Sequence, residues 1–128
     1  MNKTKLKTSL FIVSSFLIPA IMMFFIYLSQ GIYWNSDTSP LLGDGYHQYV
    51  IFDTTLRNIL HGTDSLFYSF QSGLGINFYA LSSYYLGSFF SPLVYFFNAQ
   101  SMPDAVYLIT LLKFGAIGSV SYTHLTLP

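Results

Sequence analysis

The sequence predicts an all-α integral membrane chain: two or three transmembrane helices plus an extracytoplasmic interfacial amphipathic helix, as a fragment of a larger multi-span fold. Three observations carry this. Leu10 to Leu28 form an apolar run with no charge, and about 20 such residues in a helix cross the roughly 30 Å hydrocarbon core of a bilayer. Three lysines, Lys3, Lys5 and Lys7, stand just before the run. Basic residues beside a span resist translocation, so residues 1–9 are expected in the cytoplasm. Charged residues make up only 8% of the chain and hydrophobic ones 52%, against about 25% charged in an ordinary soluble domain.

The first span, 10–28, reads as an anchor. Signal-peptide cores are about 7–15 residues long and end in a small-x-small cleavage site. This run is longer, and Tyr27-Leu28-Ser29-Gln30-Gly31 is a poor site. Pro19 lies mid-span, where it removes one backbone hydrogen bond and permits a kink.

Residues 29–77 are expected outside. The stretch to Gly45 is rich in turn formers, among them Gly31, Asn35, Pro40 and Gly43. Tyr33 and Trp34 fall where an interfacial aromatic belt is expected. Residues 46–61 read as an amphipathic helix too polar to span, suited to the membrane surface. Its apolar side is Val50, Leu56, Ile59 and Leu60, with Tyr46, Tyr49 and Phe52 on the flanks. Asp53 and Arg57 stand in acid-first i,i+4 order, which favours a helical ion pair. Gly62 suits a C-terminal stop.

Residues 78–97 are uncharged and long enough to cross. Their tyrosines and serines, with Gly87 and Pro92, equally suit a segment that dips in and returns. A polar connection, 98–104, leads to a third membrane segment, 105–120, interrupted by Lys113. Residues 121–128 resemble the translated read-through of a sequencing adapter and are expected to be a non-native tail. On that expectation the native protein continues from about Val120; the alternative is a genuine short polar end.

Composition excludes several classes. Net charge is zero, which gives no electrostatic case for nucleic acid. No cysteine is present, so disulfides, thiol catalysis and thiolate metal sites are absent. Aromatics reach 20%, with 11 Tyr beside 13 Phe, far from a disordered composition.

Every acidic residue is an aspartate, and Asp37, Asp44, Asp53 and Asp64 fall between the first and second apolar runs. Asp44 sits between two glycines before the amphipathic helix. One reading is an N-cap accepting helix N–H bonds. The other is a general base on a rigid turn, with His47 and Gln48 one turn on and facing the same ligand. Asp37, Asp44 and His47 are the best metal set available. With no Asp-x-Asp, no His-x-x-x-His and no Glu, no metal is expected. Lys113 lies about midway along an apolar stretch, where a charge costs about 2.5–3.5 kcal/mol on insertion scales. It is either a snorkelling lysine or a cation for a lipid phosphate. Arg57 is a second phosphate candidate unless it simply pairs with Asp53.

Several motifs together resemble the start of the bacterial YfhO-type membrane proteins, of the GT-C glycosyltransferase class. They are Gly43-Asp44-Gly45-Tyr46-His47-Gln48-Tyr49, Leu66-Phe67-Tyr68-Ser69-Phe70, Gly73-Leu74-Gly75-Ile76-Asn77, Tyr84-Tyr85-Leu86, Ser91-Pro92 and Leu112-Lys113. The resemblance covers nearly the whole chain up to Val120. It implies transfer of a sugar from a polyprenyl-phosphate carrier to a cell-envelope acceptor such as teichoic acid, at the outer face of the cytoplasmic membrane. It implies that Asp44 is the key loop aspartate, with His47, Gln48, Tyr49, Arg57 and Lys113 as substrate-binding candidates. The partners implied are membrane lipids, a lipid-linked sugar and a cell-wall polymer. No cofactor is expected, since a lipid donor needs no nucleotide-binding Gly-rich loop. Alternative readings are the first spans of a transporter or flippase, or a small non-catalytic membrane protein. Two or three spans do not enclose an active site, so these 128 residues alone are expected to be inactive.

Overall fold

The computed structural model describes residues 3–71 and 73–126, and among these the regular structure is helical, joined by loops and turns, with one isolated antiparallel bridge between Ser69 and Ile76. Among the expected features, the Lys3 and Lys5 side chains and the tail residues Leu127 and Pro128 lie outside the described residues. Two units are present, residues 1–32 with 110–128, and residues 33–109.

The first unit holds helix α1, Lys3–Ser29. Its 24-residue apolar part, Leu6–Ser29, is about 36 Å long at 1.5 Å per residue, enough to cross a membrane. Pro19 sits inside it. The helix stops where Gly31 takes φ +74°. There the Gly31 N–H donates to Leu28 O at 3.0 Å and the Ile32 N–H to Tyr27 O at 2.9 Å. This paired closure needs a left-handed residue, which glycine supplies without a Cβ penalty. Against α1 packs the C-terminal part of helix α4, Met102–Thr126, the second helix long and apolar enough to span. The approach is close. A Cβ on Gly115 would lie 2.7 Å from the Phe16 ring, and one on Gly118 would overlap Ser15 O and stand 2.6 Å from Pro19 Cγ. Ser119 Oγ donates to Ile12 O at 3.4 Å, and the Phe11 and Tyr122 rings are 6.2 Å apart.

The second unit is built around helix α2, Val50–Leu60. One π-helical turn, Gly45–Tyr49, leads into it. Phe52 packs with Phe78 and Leu86; on another side Val94, Met102, Ala105 and Ile109 form a second cluster; Leu56 touches both. Helix α2 ends as α1 does, with Gly62 at φ +74° and the Thr63 N–H donating to Asn58 O.

Helix α3, Phe78–Tyr85, starts on a true cap: Asn77 Oδ1 accepts from the N–H groups of Tyr79 and Ala80. A 3-10 segment, Ser91–Phe96, follows. Helix α4 then begins after a reciprocal pair, in which Ser101 N donates to Asn98 Oδ1 at 2.8 Å and Asn98 N to Ser101 Oγ at 3.1 Å. Asp104 in its first turn accepts from the Asn35 N–H at 2.8 Å.

Three expectations need correction, and one open alternative is narrowed. Residues 78–97, read as either a crossing or a segment that dips and returns, form no single continuous helix. Helix α3 has eight residues, about 12 Å, and stops at Leu86-Gly87, after which Pro92 opens a separate turn. Leu60 is not on the buried side of α2 but 42% exposed, while Phe52 is the ring that Phe78 and Leu86 cover. The amphipathic helix does not start regularly at Tyr46, because the chain there closes a wider i→i+5 turn from Val50 N to Gly45 O. Nor does helix stop at Val120: it runs to Thr126, with the Thr123 and Thr126 hydroxyls donating back to Val120 O and Tyr122 O.

Candidate functional site

The site is built on the turn that carries Asp44. Gly43 takes φ +55°, and its carbonyl accepts from the N–H groups of Tyr46 at 3.1 Å and His47 at 3.2 Å. Asp44 already has helical backbone angles, φ −60° and ψ −26°, and its carboxylate makes no capping bond. A capping residue needs extended backbone to turn its oxygen onto the following N–H groups. The cap expectation is therefore not met, and the carboxylate is exposed.

Four positions on, within reach of the same face, stands Gln48, half-buried, whose Oε1 accepts a hydrogen bond of 2.6 Å from the Tyr85 hydroxyl. Tyr85, the last residue of α3, is ringed by aromatics. Tyr49 stands edge-on at 5.3 Å, Tyr84 edge-on at 4.5 Å and Phe52 tilted at 5.1 Å. Edge-to-face contacts in this range suit the ring quadrupole. The Tyr85 phenol is held above its ordinary pKa of 10.0, first by desolvation, then by Tyr84, Tyr49 and the Asp44 carboxylate. It therefore stays a hydrogen-bond donor to Gln48. His47 is exposed, its ring 6.2 Å from that of Tyr46.

Other predicted residues are elsewhere. Arg57 Nε donates to Phe97 O and its Nη1 to Asn58 Oδ1 at 3.1 Å. One turn on, His61 Nε2 is 3.0 Å from Tyr95 O, and its ring stacks on that of Tyr95 at 4.3 Å and 5°. These two side chains hold the carbonyls at the end of the 3-10 segment. The Arg57 guanidinium is thus engaged in the fold. Lys113 is exposed on α4 in the helix-pair unit. A cleft of about 150 Å³ on α2, lined by Val50, Ile51, Thr54, Thr55, Asn58 and Gln71, includes none of the predicted site residues.

A family model described as bacterial membrane protein YfhO matches residues 14–126. The chain belongs to the YfhO family. The match spans Asp44, Gln48, Tyr85, the second apolar helix and the first from residue 14 onward. Family membership together with two helices long enough to cross identifies this YfhO-family chain as a membrane protein. No curated protein and no solved structure matches it.

Sequence reasoning does not reach Tyr85, whose doublet with Tyr84 carries weight only within the family resemblance. No local spacing connects residue 85 to residue 48, because the fold alone brings them together.

Proposed function

We propose that this YfhO-family chain is the N-terminal part of a membrane glycosyltransferase that moves a sugar from a polyprenyl-phosphate carrier to a cell-envelope acceptor such as teichoic acid. The observation that supports it best is the exposed, uncapped Asp44 carboxylate, held by a π-helical turn beside Gln48 and the tyrosine cluster. Such turns recur at functional sites. In this reading the N-terminus is cytoplasmic and the Asp44 loop faces outward. An acceptor hydroxyl gives its proton to Asp44, and its oxygen bonds to the anomeric carbon. The bond from that carbon to the phosphate oxygen breaks, and polyprenyl phosphate leaves with the electron pair. The base must come within about 2.6–3.2 Å of the hydroxyl. Charge growing on the phosphate calls for a cation. Arg57, on the helix that follows the Asp44 turn, is the candidate within the same unit, its Nε already donating to the Phe97 carbonyl.

The test is Asp44→Asn in the complete encoded protein, in sealed right-side-out membrane vesicles. Polyprenyl-phosphate-linked glucose, galactose and N-acetylglucosamine are supplied from outside, and label transferred to envelope polymer is counted. We expect the wild type to transfer at least one of these sugars. The variant should insert normally and lose roughly 100-fold or more in rate, the scale of general-base catalysis. Undiminished transfer by the variant, or transfer only when the vesicles are opened, overturns the proposal.

A further inference from the structure

The Asp44 turn does not stand alone in space. A second part of the chain, distant in sequence, reaches it. Tyr85 donates its hydroxyl to Gln48 Oε1 at 2.6 Å across 37 positions of sequence. A glutamine amide offers one acceptor oxygen and two N–H donors. Tying the oxygen fixes the plane of the amide and leaves the N–H pair for another group. Tyr84, whose ring stands edge-on to that of Tyr85 at 4.5 Å, is 80% exposed, and Tyr46, two residues before Gln48, is 57% exposed. Flat exposed rings beside a fixed amide and a carboxylate match a pyranose. One face of that ring is apolar C–H, and its rim carries hydroxyls that both donate and accept.

We propose that Tyr84 and Tyr85 complete a saccharide-holding site around Asp44: Tyr85 pins Gln48 so that its amide N–H bonds meet sugar hydroxyls, while the sugar's apolar face lies on the Tyr84 ring. This rests on the glycosyl-transfer reading above. Tyr85 is a positioning residue, acting through Gln48. Its ring and its hydroxyl have separable jobs. The ring packs on Phe52, Phe78 and Leu86, and the hydroxyl alone reaches Gln48.

Tyr85→Phe keeps the packing and removes only the hydroxyl. In the vesicle assay it should raise the KM for the lipid-linked sugar roughly five- to tenfold, the worth of one net hydrogen bond, with kcat little changed. Gln48→Ala should do at least as much. The double variant should be no worse than Gln48→Ala, because residues acting through one another are not additive. Tyr84→Leu keeps an apolar group for the headgroup zone but loses the flat ring, and should also raise the sugar KM. Its exposure makes misfolding a poor explanation of any loss.

Unchanged KM in Tyr85→Phe, or losses that add in the double variant, overturns the role of Tyr85. Unchanged KM in Tyr84→Leu means that the ring only anchors in the interface, and overturns the stacking. If Asp44→Asn abolishes transfer while these variants do not alter KM, the transferase reading stands and this site falls. If the wild type transfers no sugar, both fall together.

Discussion

The two units of this chain hold themselves together by opposite means. Among the described residues, every buried hydrophobic side chain, from Phe52 and Phe78 to Tyr107 and Ile109, belongs to residues 33–109. So do the buried polar groups Asp53, Thr55, Ser69 and Ser91. In the helix-pair unit, α1 leaves Leu10, Phe11, Ile18, Met22 and Phe25 about half exposed or more. That surface suits lipid. Lipid tails are as apolar as leucine, so burial against another helix gains little there, and close backbone packing must supply the attraction. Gly115 and Gly118 provide it by letting α4 approach Phe16, Ser15 and Pro19 of α1. The unit of residues 33–109 works as a small soluble core does, by covering a few large side chains and answering each buried polar atom found there. Within one short chain, what counts as stabilising changes with the solvent.

That contrast is open to attack. The largest effect should come from Phe78→Ala in the unit of residues 33–109. Phe78 is 1% exposed, and truncating such a ring costs about 3–5 kcal/mol. The loop from Tyr33 to Ile109 should become protease-sensitive. A disulfide cross-link between cysteines placed at Ile12 and Ser119, easy to read in a chain with no native cysteine, should still form. Loss of that cross-link would mean that the units do not stand separately. Gly118→Ala is the converse test. Its Cβ meets backbone at Ser15 O, and overpacking of this kind costs about 1–3 kcal/mol. The cross-link should weaken while the loop keeps its protease resistance; an unweakened cross-link would remove the glycine-contact account.

The smallest effect concerns pH. Because the Tyr85 phenol is raised above 10.0 in the fold, the folded chain holds that proton more tightly than the unfolded chain does. The resulting stabilisation is complete below pH 10.0 and fades as pH rises through the folded-state value. The phenolate absorbance of wild type minus Tyr85→Phe should therefore appear at higher pH than that of free tyrosine. A difference spectrum rising at or below the free value would remove the desolvation argument.

Much of this architecture was legible in the sequence. The first apolar run and the Lys113 segment declare their helices through length and lack of charge. Gly62 marks the end of α2 as expected, because a left-handed residue there has one cheap solution. Residues 78–97 were not legible, since composition cannot distinguish a crossing from a short helix, a break and a 3-10 turn of the same polarity. The site was half legible. The Asp44 turn has a local signature, whereas its partner Tyr85 is supplied by tertiary folding. The identity of Asp44 as a cap was refused by backbone angles that no propensity records.

One consequence of the widened turn at Gly45–Tyr49 concerns insertion and deletion. A turn closed i→i+5 carries one residue more than an α-helical turn needs. Deleting that surplus residue lets the strip heal into ordinary helix, leaving everything downstream seated. It also rotates everything upstream by about 100° around the axis. The aspartate is then aimed away from its neighbours in a chain that still folds and still enters the bilayer. Here the count of residues, as much as their identity, sets the aim.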